Sequence, residues 1–165
     1  MRSMSLAFTT QEWESVVINE LIRVVKPGGW IEIMERDPWW TGAGTATNKI
    51  NRVVVEELQT NHNINAHISP YLQRYMSETH KLSEICHLEK KIAVGAWGGN
   101  LGNVCLENYR WFFKNIRGSI ESIKDKEFNA MLSESLKEFT NSKAYETGHR
   151  FFAMKIKENV GTEIS

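Results

Sequence analysis

The chain has 165 residues, 41% of them hydrophobic and 24% charged, proportions that suit one globular domain large enough to bury a core. Twenty basic residues balance twenty acidic ones, which argues against binding nucleic acid through bulk charge, and no apolar run approaches the roughly 20 residues that cross a bilayer. No signal-peptide pattern opens the chain, and Cys86 and Cys105 show neither metal-ligand spacing nor a disulfide framework, so a reducing, cytoplasmic compartment is expected.

Thr9 followed by Glu12 has the form of a capping box, in which each side chain satisfies a free backbone N–H at the start of a helix. Trp13, Val16, Val17, Leu21, Val24 and Val25 then recur at helical spacing and predict one apolar stripe facing the core. Pro27-Gly28-Gly29 ends this helix, because proline cannot extend the hydrogen-bond ladder and glycine accepts a left-handed turn. Trp30 to Glu35 reads as a strand. Its apolar residues do not alternate cleanly, so cover on at least part of both faces is expected, and Arg36-Asp37-Pro38 closes it. Helix, glycine turn and strand make the second half of a crossover unit in an α/β sheet.

A loop follows, with Trp39, Trp40 and the small residues from Thr41 to Thr45. Ile50, Val53, Val54 and Leu58 predict a helix over residues 48–59, and the polar stretch 61–65 reads as loop. The five histidines are scattered, and His62 and His67 sit among polar residues with no carboxylate or cysteine close in sequence, so no metal site is expected. A short helix is predicted over 71–76, just after Pro70, and a strand over 85–94. Ala96 to Gly102 carries three glycines and Trp97 and reads as a tight loop. Helices are predicted over 104–113 and 126–139, a last strand over 149–156, and a frayed tail over 158–165.

The string Glu20-Leu21-Ile22-Arg23-Val24-Val25-Lys26-Pro27-Gly28-Gly29-Trp30 resembles the E-x-x-R-V-L-K-P-G-G signature of class I S-adenosylmethionine-dependent methyltransferases. In that family it forms the end of a helix, the turn and the start of the fifth strand. Trp30, Glu32 and Glu35 are similar to the W-x-E-x-x-E pattern that small-molecule methyltransferases carry there. Val94-Gly95-Ala96-Trp97-Gly98-Gly99 is similar to their l-p-l-G-x-W loop, and Phe151-Phe152-Ala153-Met154-Lys155 to their last strand, F-x-A-x-K. The resemblance runs from Arg2 to about Lys157.

The fold this resemblance implies is α/β, a partial Rossmann-like methyltransferase sheet. Equivalents of the fifth, sixth and seventh strands are present with flanking helices, and the first four strands are missing. Residues 1–157 are then the C-terminal part of a methyltransferase domain, and 158–165 a tail. A self-sufficient sheet of this kind is expected to order its strands fifth, seventh, sixth. The implied activity is methyl transfer from S-adenosylmethionine to a small-molecule acceptor. The family grips that cofactor with a glycine-rich loop after the first strand and an acidic residue ending the second, and neither has a counterpart here. Gly42-Ala43-Gly44 follows the fifth strand instead and is read as turn chemistry. Residues 1–4 align just past the fourth strand, which makes Arg2 and Met4 candidates for cofactor contact, with fraying at the terminus as the competing reading.

Methyl transfer from a sulfonium asks a protein mainly for alignment, so no universal catalytic residue is expected. In open α/β sheets the reaction lies beyond the carboxyl ends of the strands. That rule singles out Glu35 and Asp37 as catalytic candidates, able to orient or deprotonate an acceptor, and Trp39 and Trp40 as walls of a substrate pocket with Trp97 at its mouth. The competing reading is a solvated strand end, with the tryptophans packed on a neighbouring helix and on the core. The outer flank of the fifth strand is expected to be an exposed edge that pairs with another copy or a partner chain. No nucleic-acid or membrane partner is expected. Two functions follow: methyl transfer with the cofactor-binding half outside this chain, or a catalytically inactive truncated paralogue acting as a binding or dimerisation module.

Overall fold

The computed structural model describes residues 1–157, and the tail expected over 158–165 lies outside the described residues. The capping box forms as predicted. The Glu12 amide donates to Thr9 Oγ1 at 3.2 Å, and the Thr9 amide donates to the Glu12 carboxylate at 2.8 Å. Helix α1 then runs through Thr10–Glu12, a π-helical turn at Trp13–Val17, and Ile18–Val24. The wider turn changes the phase of everything after it. The core receives Trp13, Val17, Ile18 and Ile22, whereas Val16 and Val24 of the predicted stripe are 50% and 63% exposed. Counting by 3.6 residues carries the wrong phase past a π turn, which corrects the predicted stripe. Gly28 takes φ +80° in the turn that follows, and its amide donates to the Lys155 carbonyl at 2.9 Å, tying the turn to the last strand.

Strand β1, Trp30–Thr41, is longer than predicted and continues through Arg36, Asp37 and Pro38. Its burial alternates: Ile31, Ile33 and Glu35 are buried while Trp30 is 62% exposed. One face is core and the other is partly covered at Glu32 and Met34, in keeping with the expected cover on part of both faces. Strands β2, Cys86–Ala93, and β3, Tyr145–Met154, complete a three-stranded sheet in the order β1-β3-β2. Both neighbours of β3 are antiparallel to it, so β1 and β2 run parallel on its two sides. The result is a mixed α/β architecture with a small antiparallel sheet. On the outer edge of β1 a short parallel bridge holds Met34, whose N–H donates to the Met1 carbonyl at 3.0 Å and whose carbonyl accepts from the Ser3 N–H at 2.8 Å.

The remaining helices are α2 (Thr45–His62), α3 (Ser69–Glu78), α4 (Gly99–Ile116) and α5 (Asp125–Asn141). The predicted loop at Ala96–Gly102 is mostly helix. A single 3-10 turn at Ala96–Gly98 leads straight into α4. Two apolar clusters result. One packs α1 and α3 on the sheet through Trp13, Ile22, Ile33, Leu72, Met76 and Phe151, and the other joins α2, α4 and α5 through Ile50, Val54, Phe113, Phe128 and Phe139. Among the described residues, no helix is long and apolar enough to cross a membrane.

The start of α2 is held by α5. Glu138 accepts from the amides of Ala46 and Thr47, each at 2.8 Å, and from Thr47 Oγ1 at 2.7 Å. Burial alone would raise its pKa, but these donors outweigh burial and lower it. A carboxylate lowered in the folded state contributes stability that is complete above its unfolded value of about 4.3 and is lost as pH falls below it. Glu138→Gln is therefore expected to flatten the loss of stability on acidification from about pH 6 to pH 3. Urea midpoints at the two pH values measure this, and parallel acid slopes for the two proteins would overturn it.

Candidate functional site

Two extra residues in β1 shape the site. Arg36 pairs with Gly148, but the next pair is Trp40 with Glu146, so Asp37 to Trp39 bow out of the ladder. Bulges of this kind re-aim side chains. Here the bow turns Asp37 and Trp40 toward the space between β1, α2 and α4, and the Asn51 side-chain amide donates to the Pro38 carbonyl from α2. That space is a cavity of about 260 Å³ at the carboxyl end of β1. Leu6, Val54, Val55, Leu58, Ala66 and Phe112 give it apolar walls, and Glu35, Asp37, Asn108, Tyr109 and Glu146 supply polar groups. Trp40 lines it too, while packing edge-on against Tyr109 with ring centroids 5.0 Å apart.

Glu35 is 2% exposed and holds the amino-terminal segment in place. Its carboxylate accepts from the Met4 amide at 2.7 Å and the Ser5 amide at 3.2 Å. Burial raises its pKa against these lowering hydrogen bonds. Ser3, Ser5 and Leu6, fixed in this way, form one wall of the cavity. Arg36 caps the opposite side through an ion pair to buried Glu146 at 3.0 Å.

Asp37 is the most heavily partnered group. Ser69 Oγ at the start of α3 donates to it, His67 Nε2 lies 3.1 Å away and His149 Nε2 lies 3.0 Å away. Burial pushes its pKa up, but the contacts from His67, Ser69 and His149 more than offset that and hold it well below the usual carboxylate range. His149 is nine-tenths buried on β3. Its Nε2 approaches Asp37 off the line of a formed hydrogen bond. On its other side, His149 Nδ1 is 3.0 Å from His87 Nε2 on β2.

The structure brings Glu35, Asp37 and Trp40 of the sequence candidates to one cavity and places the others elsewhere. Trp39 is 38% exposed on the bowed segment and does not line the cavity. Trp97 donates from Nε1 to the carbonyls of Val94 at 3.1 Å and Ala144 at 3.0 Å, which locks the turn before α4. Arg2 pairs with Glu32 at 3.3 Å, and Met4 packs against the α1 cluster. Sequence reading weighs His67 only as a metal ligand and sets it aside, and it gives no site role to His87, Glu89, Asn108, Glu146 or His149. The alternation His87-x-Glu89 inside a predicted strand is the one local signal, since it puts both groups on one face.

The glycines after β1 are set by packing. A Cβ at Gly44 would lie 2.2 Å from the Glu138 carboxyl carbon, and Glu138 already occupies the amides of the α2 N-terminus. Gly42-Ala43-Gly44 thus serves packing and does not fit a cofactor cradle. A Cβ at Gly98 would lie 2.4 Å from Ala93 Cβ, so that glycine serves close packing as well. No protein-family model matches the chain, and no curated protein matches it.

Proposed function

We propose that this chain is the acceptor-binding part of an S-adenosylmethionine-dependent methyltransferase that acts on a small molecule. The observation that carries the reading is the cavity at the carboxyl end of β1, the strand that bears the methyltransferase-like signature. That is where open α/β sheets place their ligands. The strand order β1-β3-β2, with β3 antiparallel to both, supports it as the counterpart of the fifth, seventh and sixth strands. A cavity of about 260 Å³ suits a small acceptor rather than a polypeptide. Its apolar walls take the body of the acceptor, and Asp37 and Glu146 favour a cationic or hydrogen-bond-donating head. Alignment is what such a pocket contributes to methyl transfer. Glu35 serves it as a positioning residue by holding the wall formed by Ser3, Ser5 and Leu6. In this reading the methyl donor is gripped by polypeptide other than residues 1–157.

The test is calorimetric titration of the folded chain with S-adenosylhomocysteine, and with a panel of methylatable amines, phenols and carboxylic acids. Binding of an acceptor-class compound that Val55→Trp abolishes, by filling the cavity, is the expected result. Micromolar binding of S-adenosylhomocysteine would place the donor site within this chain as well. If a folded sample binds neither, the methyl-transfer reading fails. The alternative then stands, a non-catalytic binding or dimerisation module, which would use the outer edge of β1 beyond the part that the amino-terminal segment covers at Glu32 and Met34.

A further inference from the structure

Independently of that reading, we infer that His87, Glu89 and His149 form a binding site for a divalent transition-metal ion, with zinc as its best-fitting occupant. The pleat of the sheet creates the cluster. Glu89 on β2 lies directly opposite His149 on β3, and His87 lies opposite Phe151 one rung along. Residues two apart on a strand share a face, so all three functional groups project to the same side. His87 Nε2 and His149 Nδ1 are 3.0 Å apart, and Glu89 Oε1 is 4.0 Å from the first and 3.7 Å from the second. Bonds to zinc of about 2.0–2.1 Å in tetrahedral array separate neighbouring ligand atoms by about 3.3 Å. The three groups therefore reach coordination geometry by shifts of a few tenths of an ångström. Glu89 is 61% exposed at its side chain and is free to make the largest of them.

Two further features suit the site to a cation. Asp37 stands 3.0 Å from His149 Nε2, the nitrogen that would not bind the metal, and so completes a carboxylate–histidine–metal arrangement. With its proton on Nε2, beside Asp37, His149 would present its Nδ1 lone pair toward His87. His87 is also fixed by stacking on Phe151, with centroids 4.2 Å apart and planes 10° apart. To bind, His87 moves its ring proton to Nδ1, which frees the Nε2 lone pair. Two imidazoles and one carboxylate then leave at least one coordination position for water, on the side where Glu89 meets solvent. An open position of this kind separates catalytic metal sites from structural ones.

The experiment is titration of Zn²⁺ and Co²⁺ into the whole chain after removal of metal by a chelator. One equivalent of Zn²⁺ is expected to bind with a dissociation constant of about 1 μM or tighter. Co²⁺ is expected to show visible bands of nitrogen and oxygen ligation without thiolate charge transfer. His87→Ala is expected to weaken Zn²⁺ binding by about 100-fold and Asp37→Asn by about 10- to 100-fold, the usual range for loss of an outer carboxylate. Glu89→Gln changes an exposed side chain, so its loss of about 10-fold is readable without concern for folding. Cys86→Ser is expected to leave binding unchanged. Absence of Zn²⁺ binding tighter than about 0.1 mM by a folded sample would overturn the site. So would one equivalent whose affinity neither His87→Ala nor Glu89→Gln moves.

Discussion

Gly102→Ala is expected to lower stability by about 3 kcal/mol or more, enough to leave little folded protein at physiological temperature. The added Cβ would lie 2.2 Å from the Gly95 carbonyl oxygen and 3.3 Å from its carbon, both backbone atoms with no rotamer to change. Gly95 cannot retreat. It sits at φ +107°, a Cβ placed on it would already lie 2.8 Å from the Phe139 carbonyl, and its N–H donates to the Gly102 carbonyl at 2.9 Å. The first turns of α4 would have to move away from the end of β2. The damage would reach the cavity, because α4 supplies Cys105, Asn108, Tyr109 and Phe112 to its wall. Gly118→Ala is the control, since among the described residues no atom beyond its chain neighbours lies within 4 Å of the added Cβ. Urea unfolding compares them, and equal midpoints for the two variants would remove the argument.

The second large effect is expected at Trp13, which is fully buried in the π-helical turn and meets Phe8 edge-on at 5.7 Å. Trp13→Ala removes an indole from a packed core and is expected to cost about 3–5 kcal/mol. The indole N–H is buried without a hydrogen-bond partner among the described residues, so the native residue already carries a penalty that phenylalanine would not. Trp13→Phe is therefore expected to cost less than half as much. Thermal and denaturant unfolding of the pair decide it. Similar losses for both would mean that indole volume alone matters at this position.

Much of the fold was legible because its signals are local. The Thr9–Glu12 box, the Pro27-Gly28-Gly29 stop and the apolar spacing of α2 and α5 act within a few residues of themselves, and each element formed near its predicted place. The errors came from effects that need a partner. The π turn at Trp13–Val17 shifts phase without any mark in the sequence pattern. Strand β1 runs past Pro38 because its bow makes room for a residue with no N–H to give to the ladder. The glycine-rich stretch from Gly98 to Gly102 opens a helix rather than a loop, since close packing of Gly98 on Ala93 and of Gly102 on Gly95 asks for missing side chains there.

The site was legible in the same partial way. Glu35, Asp37 and Trp40 were found because a strand end is a local feature. His149 was missed because its neighbours Asp37, His87 and Glu89 come from three separate stretches of chain, joined only by cross-strand register. A lone histidine in sequence says nothing of what stands across the sheet from it.

The bridge between Met1, Ser3 and Met34 bears on how the protein should be handled at the bench. The segment runs parallel to β1 and its amino terminus already donates to the Glu32 carbonyl at 2.7 Å, so any residues fused ahead of Met1 are directed along the β1 edge past Glu32 toward Trp30. An amino-terminal affinity tag has a strand template waiting for it there. It would also pull on the Ser3, Ser5 and Leu6 wall of the cavity. Ligand and oligomerisation measurements therefore belong on protein tagged at the other end, and a difference between the two preparations would report on that edge directly.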